Sequence, residues 1–189
     1  MAESAGVRRE QARRTREGVL EAAAAVFVAQ GVQAPVREIA HRAEVGVGTV
    51  YRHFPTRADL VTAVYRHQID ACAELAPRLL AACDTPSTAL HRWTGAFVDF
   101  LVTKHGLGAA LGSEDPGLEN LHAVMVDTLV PACAELLGAC VDAGEARADV
   151  TAYTLMRAVG NLCITGPDYD QADARRMVDL LLTGCRTTS

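Results

Sequence analysis

Val45 to Phe54 read V-G-V-G-T-V-Y-R-H-F, and this stretch decides the fold of the N-terminal third of the chain. Val50 and Phe54 lie four residues apart, which places both on one face of a short helix. The remaining positions are mostly small or polar and belong to another face. A short helix with so few apolar residues adds little to a core, and its polarity suits the major groove of DNA.

Two further helices are predicted before this stretch. Thr15 is positioned to cap a first helix with apolar residues at helical spacing, and Gly31 supplies the left-handed residue that ends it. Pro35 opens a second helix at its first position. A tight turn at Glu44 then leads to the third helix, and two short helices around such a turn form a helix-turn-helix. The apolar stripe of the second helix is Val36, Ile39, Ala40 and Ala43.

This N-terminal segment resembles the DNA-binding domain of the tetracycline-repressor (TetR) family. The resemblance covers a third of the chain, and the rest matches only in length and helical character. It implies a transcriptional regulator with a divergent ligand-binding and dimerisation domain. Because members of the family are usually repressors, the resemblance also implies repression. The matching residues are Arg14-Thr15-Arg16, Ala22-Ala23, Phe27, Gly31, Val36, Ile39-Ala40, Ala43, Val45, Gly48-Thr49-Val50-Tyr51, His53-Phe54, Arg57 and Leu60.

Three positions depart from the family pattern. Ala34-Pro35 stand where the second helix usually begins with threonine or serine, and Gly46 stands where serine usually caps the third. Glu44 occupies the turn position that usually carries glycine. We therefore expect a left-handed non-glycine residue there, at a cost of about 1 kcal/mol.

The charge of the chain is unevenly distributed along its length. Residues 1–67 hold ten arginines and seven acids, a net charge of +3, and residues 68–189 hold eight basic residues and sixteen acids, a net charge of −8. This asymmetry fits a DNA-reading head on an acidic body, because positive charge helps where it faces phosphate. Chance clustering of solvated charges is the alternative.

The third helix carries the predicted contacts with bases. Arg52 either binds a guanine through two hydrogen bonds or holds a phosphate, and the sequence leaves both open. Gly46 and Gly48 let the backbone approach the base edges. Val47 and the methyl group of Thr49 are placed to meet a thymine methyl group.

The predicted phosphate contacts surround that helix. Three arginines flank the first helix: Arg13, Arg14 and Arg16. They either clamp phosphate or enter the minor groove, and the alternative is that they only keep the terminus soluble. Arg37 lies at the start of the second helix. The family resemblance assigns Tyr51 and His53 to phosphate, with a half-buried packing ring as the alternative for Tyr51, and assigns Arg57 to the DNA backbone at the fourth helix.

The rest of the chain is predicted to be helical as well. Thr56 and Asp59 form a capping box for a fourth helix over about 57–75, and Pro77 either starts or kinks a short continuation to Cys83. Further helices are expected at about 87–104, 106–112, 117–143, 150–165 and 170–186, with a loop at 113–117. We thus expect an all-α protein of about nine or ten helices. Its predicted parts are a disordered arm (1–12), a helix-turn-helix domain (13–60) and a helical effector-binding and dimerisation domain (61–189).

The body contains a candidate cavity for a small, largely apolar effector. Aromatic and methionine side chains at helical spacing suit such a ligand, and polar residues among apolar neighbours need partners. An ordinary solid core is the alternative. The candidate residues are Trp93, Phe97, Phe100, His122, Met125, Asp127, Met156 and Asn161.

The last two helices are predicted to form the interface of a homodimer. Their apolar stripes would stay exposed in a monomer, and two copies can close them into a four-helix bundle. Packing against their own domain is the alternative. The predicted interface residues are Leu155, Val159, Leu162, Met177, Leu181 and Leu182.

Other classes of protein lack sequence support. No catalytic or nucleotide-binding motif favours an enzyme with a DNA-binding head, and the acidic body disfavours a non-specific architectural DNA protein. No signal peptide or run of 18 apolar residues is evident, which predicts a cytoplasmic protein that does not span a membrane.

Six scattered cysteines indicate core packing, with a metal or redox pair at Cys133 and Cys140 as the alternative. We expect no cofactor or metal, and the partners are operator DNA, an effector and a second copy.

Overall fold

The computed structural model describes residues 2–111, 116–164 and 169–187, with the side chains of 2–5 and 102–120 left aside. In this part of the chain the fold is all-α, as predicted, and Ala146 and Arg186 form an isolated β-bridge. The helices are α1 (Ala2–Gln30), α2 (Val36–Arg42), α3 (Val47–His53), α4 (Arg57–Ala82), α5 (Pro86–Leu111), α6 (Pro116–Asp142), α7 (Ala152–Leu162) and α8 (Gln171–Gly184).

The eight helices of the described residues fall short of the predicted nine or ten because two predicted breaks do not occur. Pro77 lies inside α4, which continues to Ala82, and the backbone of 106–111 continues α5. A proline removes one hydrogen bond from a helix, but its neighbour Ala76 is fully buried, so packing holds the helix together. Most of the predicted loop at 113–117 lies outside the described residues.

The disordered arm predicted for residues 1–12 is wrong, because α1 already begins at Ala2. Thr15 is not its cap: the Thr15 hydroxyl donates to the Gln11 carbonyl at 2.9 Å, as in a helix interior. Glu10 pairs with Arg13 at 2.8 Å and with Arg14 at 2.9 Å, and these pairs at i,i+3 and i,i+4 support the extra turns. Hydrogen bonds from both arginines lower the pKa of the exposed Glu10 carboxyl to about 2.

The helix-turn-helix is built as the apolar pattern predicts. Val50 anchors α3, Ile39 anchors α2, and Phe54 closes the end of α3, all of them buried. Pro35 is the N-cap of α2 rather than its first residue, and neither Pro35 nor Gly46 provides a side-chain cap. The capping box predicted at the start of α4 is confirmed: Thr56 and Asp59 each accept a hydrogen bond from the backbone amide of the other.

The turn between α2 and α3 contains the predicted left-handed residue, since Glu44 has φ 55°. Glu44→Gly is therefore expected to leave stability unchanged or to raise it by up to about 1 kcal/mol, because glycine adopts this conformation without strain. Ala43→Gly is the matched control. Ala43 has φ −81° and its methyl group packs against the core, so its replacement adds freedom to the unfolded chain, removes a packing contact and lowers the melting temperature. A clear loss of stability in Glu44→Gly would contradict the expectation.

The body is organised around α4 and α6, which pack against each other and against α5. Segment Leu121–Asp142 of α6 is apolar and long enough to cross a membrane. Core helices of soluble proteins meet the same criterion, and α6 lies between α4, α5 and α7.

Cys133 and Cys140 are buried free thiols, and burial raises the pKa of Cys133 to about 12 and that of Cys140 to about 11. Neutral thiols of this kind act as core residues.

Candidate DNA-binding surface and effector cavity

The exposed face of α3 combines apolar, aromatic and basic groups. Val47 and Tyr51, one turn apart, are 41% and 49% exposed, whereas Val50 points into the core. Half of the Tyr51 surface is therefore open to a ligand, and the other half packs against the protein. Gly46 and Gly48 are also exposed, and no atom lies within 4 Å of where a Cβ would stand on either. The backbone at the start of α3 is accordingly open to a large ligand.

Arg52 is held along α3 by two hydrogen bonds. Its Nε donates to the Gly48 carbonyl at 3.2 Å, and its Nη2 donates to the Thr49 hydroxyl at 3.0 Å. These bonds turn the guanidinium towards the beginning of the helix, beside Thr49. Both side chains therefore lie at the same edge of α3.

The arginines of α1 and α2 that are predicted to contact phosphate are exposed but already engaged within the chain. Arg13 and Arg14 share Glu10, and Arg37 pairs with Glu38 at 3.3 Å. Exposed pairs of this kind are worth at most about 1 kcal/mol, so phosphate can displace the acid. The guanidinium of Arg16 lies 5.2 Å from the centre of the Phe54 ring, which ties α1 to the end of α3.

Arg57 has a structural role that the sequence did not reveal. Its guanidinium is half-buried and donates to the Val32 carbonyl at 3.0 Å through Nε and to the Ala34 carbonyl through Nη2. The bridge joins the first turn of α4 to the segment between α1 and α2. His53 is also half-buried, and its ring packs against Phe54 with 6.2 Å between ring centres.

A cavity of about 180 Å³ lies between α5, α6 and α7. It brings together five of the eight predicted effector residues: Phe97, His122, Met125, Met156 and Asn161.

The other three predicted effector residues lie elsewhere. Trp93 is buried behind the cavity, where its indole donates to the Cys72 carbonyl at 2.8 Å and its ring stacks on Phe97 with 5.6 Å between centres. Phe100 packs against Tyr65 at 5.1 Å, and Asp127 is exposed on α6. Helical spacing identified the aromatic cluster but not which ring reaches the empty volume.

The prediction did not include six lining residues of the cavity, which are Leu101, Val126, Val130, Tyr153, Arg157 and Gly160. Tyr153 and Arg157 are the large polar residues among them. Together with Asn161 they are spaced i, i+4, i+8 along α7, so the stripe was present in the sequence. It was overlooked because the leucines of α7 gave a stronger apolar stripe.

The predicted dimer stripe on α7 is wrong for two residues. Leu155 and Val159 are buried within their own subunit, at 3% and 1% exposure, and cannot face a partner. Leu162, Leu181 and Leu182 are half-buried against the same core. The large apolar side chains that remain exposed at this end of the molecule are Tyr153, Ile164, Met177 and Leu180.

A polar recognition helix that Val50 anchors in the core, on a helical body with its own cavity, defines a helix-turn-helix DNA-binding regulator. The model of the bacterial regulatory proteins of the tetR family matches residues 19–64, and that of the C-terminal domain of SbtR-like transcriptional regulators matches residues 85–187. The chain belongs to the TetR family of transcriptional regulators. No curated protein matches it.

Solved structures of this family are similar over nearly the whole chain. A TetR transcriptional regulator of Streptomyces coelicolor is 34% identical with a TM-score of 0.78, covering 92% of this chain and 99% of its own. A TetR transcription regulatory protein of Mycobacterium vanbaalenii is 34% identical with a TM-score of 0.74, covering 95% and 99%. A Rhodococcus protein of 19% identity, with a TM-score of 0.66 and coverage of 92% and 98%, shares the fold.

Proposed function

We propose that this regulator is a homodimeric repressor that binds a near-palindromic operator in the cytoplasm and leaves it when a small, largely apolar effector binds. The observation that carries the DNA-binding half is the face of α3, where Val47, Tyr51 and Arg52 are exposed while Val50 is anchored in the core. A two-fold dimer reads two half-sites if its recognition helices lie one DNA turn apart, roughly 34–36 Å.

The exposed apolar residues of α7 and α8 support the dimer. Met177 and Leu180 lie one turn apart on α8 and are 41% and 64% exposed. Tyr153 on α7 is 54% exposed. Burying this face against a second copy removes apolar surface from water, which favours association.

The contacts of α4 support the proposed switch. The Tyr65 hydroxyl on α4 donates to Sδ of Met125 at 3.8 Å, and Met125 lines the cavity. About two turns before Tyr65, at the first residue of α4, Arg57 holds the segment that leads into α2. An effector that moves Met125 therefore acts on the helix that positions the DNA-binding head. It shifts DNA affinity only by its differential affinity for the two states, typically about 5- to 150-fold.

The test is to select operator fragments from genomic DNA with the purified protein and to sequence them. Protection of one short, near-palindromic site in a footprint supports the proposal. Uniform coating of DNA would indicate an architectural protein, and a failure to retain any fragment would refute the DNA-binding half. Compounds that stabilise the protein are then tested for release of that operator, and stabilisation without release would refute the switch.

Arg52→Ala is expected to weaken specific binding by about 1–3 kcal/mol, because Arg52 and Thr49 present polar groups at one edge of α3. Arg37→Ala is the control, since an exposed arginine that contacts only phosphate weakens all sequences alike. The measurement is affinity for the operator and for a scrambled duplex at one salt concentration. Equal losses on both duplexes for Arg52→Ala would assign Arg52 to phosphate.

A further inference from the structure

The arginines of the acidic body fall into two groups. Residues 68–187 contain seven arginines, and four pair with carboxylates: Arg78 with Glu74, Arg147 with Asp149, Arg175 with Asp99 and Arg176 with Asp173. Within the described part of the chain, Arg92, Arg157 and Arg186 have no ion-pair partner. Arg157 is exposed and lines a cavity that is partly open to solvent. Acids outnumber basic residues two to one in this region, sixteen to eight, so a guanidinium without an ion-pair partner beside a cavity is unexpected.

Arg157 borders the effector cavity described above. The inner wall of that cavity is apolar, formed by Phe97, Leu101, Met125, Val126, Val130 and Met156. The polar lining residues are His122, Tyr153, Arg157 and Asn161, and no acid occurs among the described lining residues. The cavity thus has an apolar interior and one uncompensated positive charge on α7.

We propose that the effector is an amphipathic acid, with its apolar part in the cavity and a single anionic group, a carboxylate or a phosphate, paired with Arg157. Guanidinium recognises both anions through parallel hydrogen bonds, and pairing is strengthened where surrounding apolar groups exclude water. The inference rests on the proposed effector-binding function and narrows the class of ligand. A neutral apolar molecule fills the interior of the cavity but leaves the charge of Arg157 without a partner. A cationic ligand is repelled by that charge.

The experiment uses the full-length protein and straight-chain probes of four to twelve carbons that differ only in the head group. The heads are carboxylate, phosphate, alcohol and ammonium. Binding is measured by calorimetry and by Trp93 fluorescence, because Trp93 stacks on Phe97 of the cavity wall. The variants are Arg157→Gln and Arg157→Lys, with Arg92→Gln as the control. Arg92 is exposed, lacks an ion-pair partner among the described residues and lies outside this cavity, so its replacement changes the net charge equally.

We expect at least one anionic head to bind about 10- to 100-fold more tightly than the alcohol of equal length, the range for hydrogen bonds to charged groups. Arg157→Gln removes this preference, Arg157→Lys retains part of it, and Arg92→Gln leaves it intact. Equal affinity for acid and alcohol, preference for ammonium, or no binding of any probe overturns the proposal. So does an Arg157→Gln variant that keeps the acid preference and only weakens the dimer.

Release of the selected operator is measured with the same probes, so that the two proposals fail separately. An acid that binds through Arg157 but leaves the operator bound supports the ligand class and refutes the switch. An alcohol that binds as tightly as the acid and releases the operator supports the switch and overturns the ligand class.

Discussion

Leu180→Asp is expected to turn the proposed dimer into monomers and to remove tight operator binding. Leu180 is 64% exposed in the single chain, so the substitution leaves the subunit core intact. In the dimer the aspartate would be buried without a partner, at a cost of several kcal/mol. A monomer binds only one half-site, and losing the second linked contact lowers affinity by about 10²- to 10⁴-fold. Sedimentation velocity and operator titration measure the two effects.

Ala172→Asp is the matched control for this experiment. It places the same charge on an exposed residue in the first turn of α8, about 12 Å along the helix axis from Leu180. That variant should remain dimeric and bind the operator normally. A normal dimer from Leu180→Asp would move the interface to another surface, and monomers from both variants would mean that charge anywhere on α8 disrupts the subunit.

Caps and turns could be predicted from the sequence because they depend on neighbouring residues. The capping box of Thr56 and Asp59 and the left-handed conformation of Glu44 both follow from a few consecutive side chains. The anchoring of α3 by Val50 also follows from spacing within one helix. These local rules fixed the helix-turn-helix, and with it the exposed face of α3.

The face that a helix turns inward depends on its neighbours, so spacing alone could not determine it. On α7, Leu155 and Val159 form one stripe, and Tyr153 and Arg157 form another at the same spacing. The aliphatic stripe packs against the body, and the second lines the cavity and the outer surface. For the same reason Trp93 was placed in the cavity, although its indole is taken up by the Cys72 carbonyl on α4.

Arg57 gives the clearest case of a contact hidden from local sequence, since its carbonyl partners lie 25 and 23 residues earlier in the chain. The resemblance to the family assigned it to the DNA backbone, whereas here it bridges Val32 and Ala34. The two roles make different predictions. A phosphate contact contributes to the salt dependence of binding, and a bridge contributes to the stability of the head.

Arg57→Ala is expected to destabilise the protein by about 2–3 kcal/mol, because two carbonyls lose a charged donor. Operator affinity should fall without a change in its dependence on potassium chloride, because the recognition helices lose their fixed orientation while the phosphate contacts remain. Thermal unfolding and affinity across a salt series provide the measurements. Arg37→Ala should give the opposite pattern, with unchanged stability and a log–log salt slope smaller by about 0.9 if it contacts one phosphate.

Arg57→Lys separates charge from geometry. Lysine keeps the positive charge but lacks the planar fork that reaches two carbonyls at once, so it should be nearly as unstable as the alanine variant. If Arg57→Lys were fully stable and only Arg57→Ala reduced the salt slope, the side chain would act on phosphate. The bridge from α4 to the segment before α2 would then be dispensable, and motion of α4 would reach α3 through the short link 54–56 and through the packing of α1 and α4.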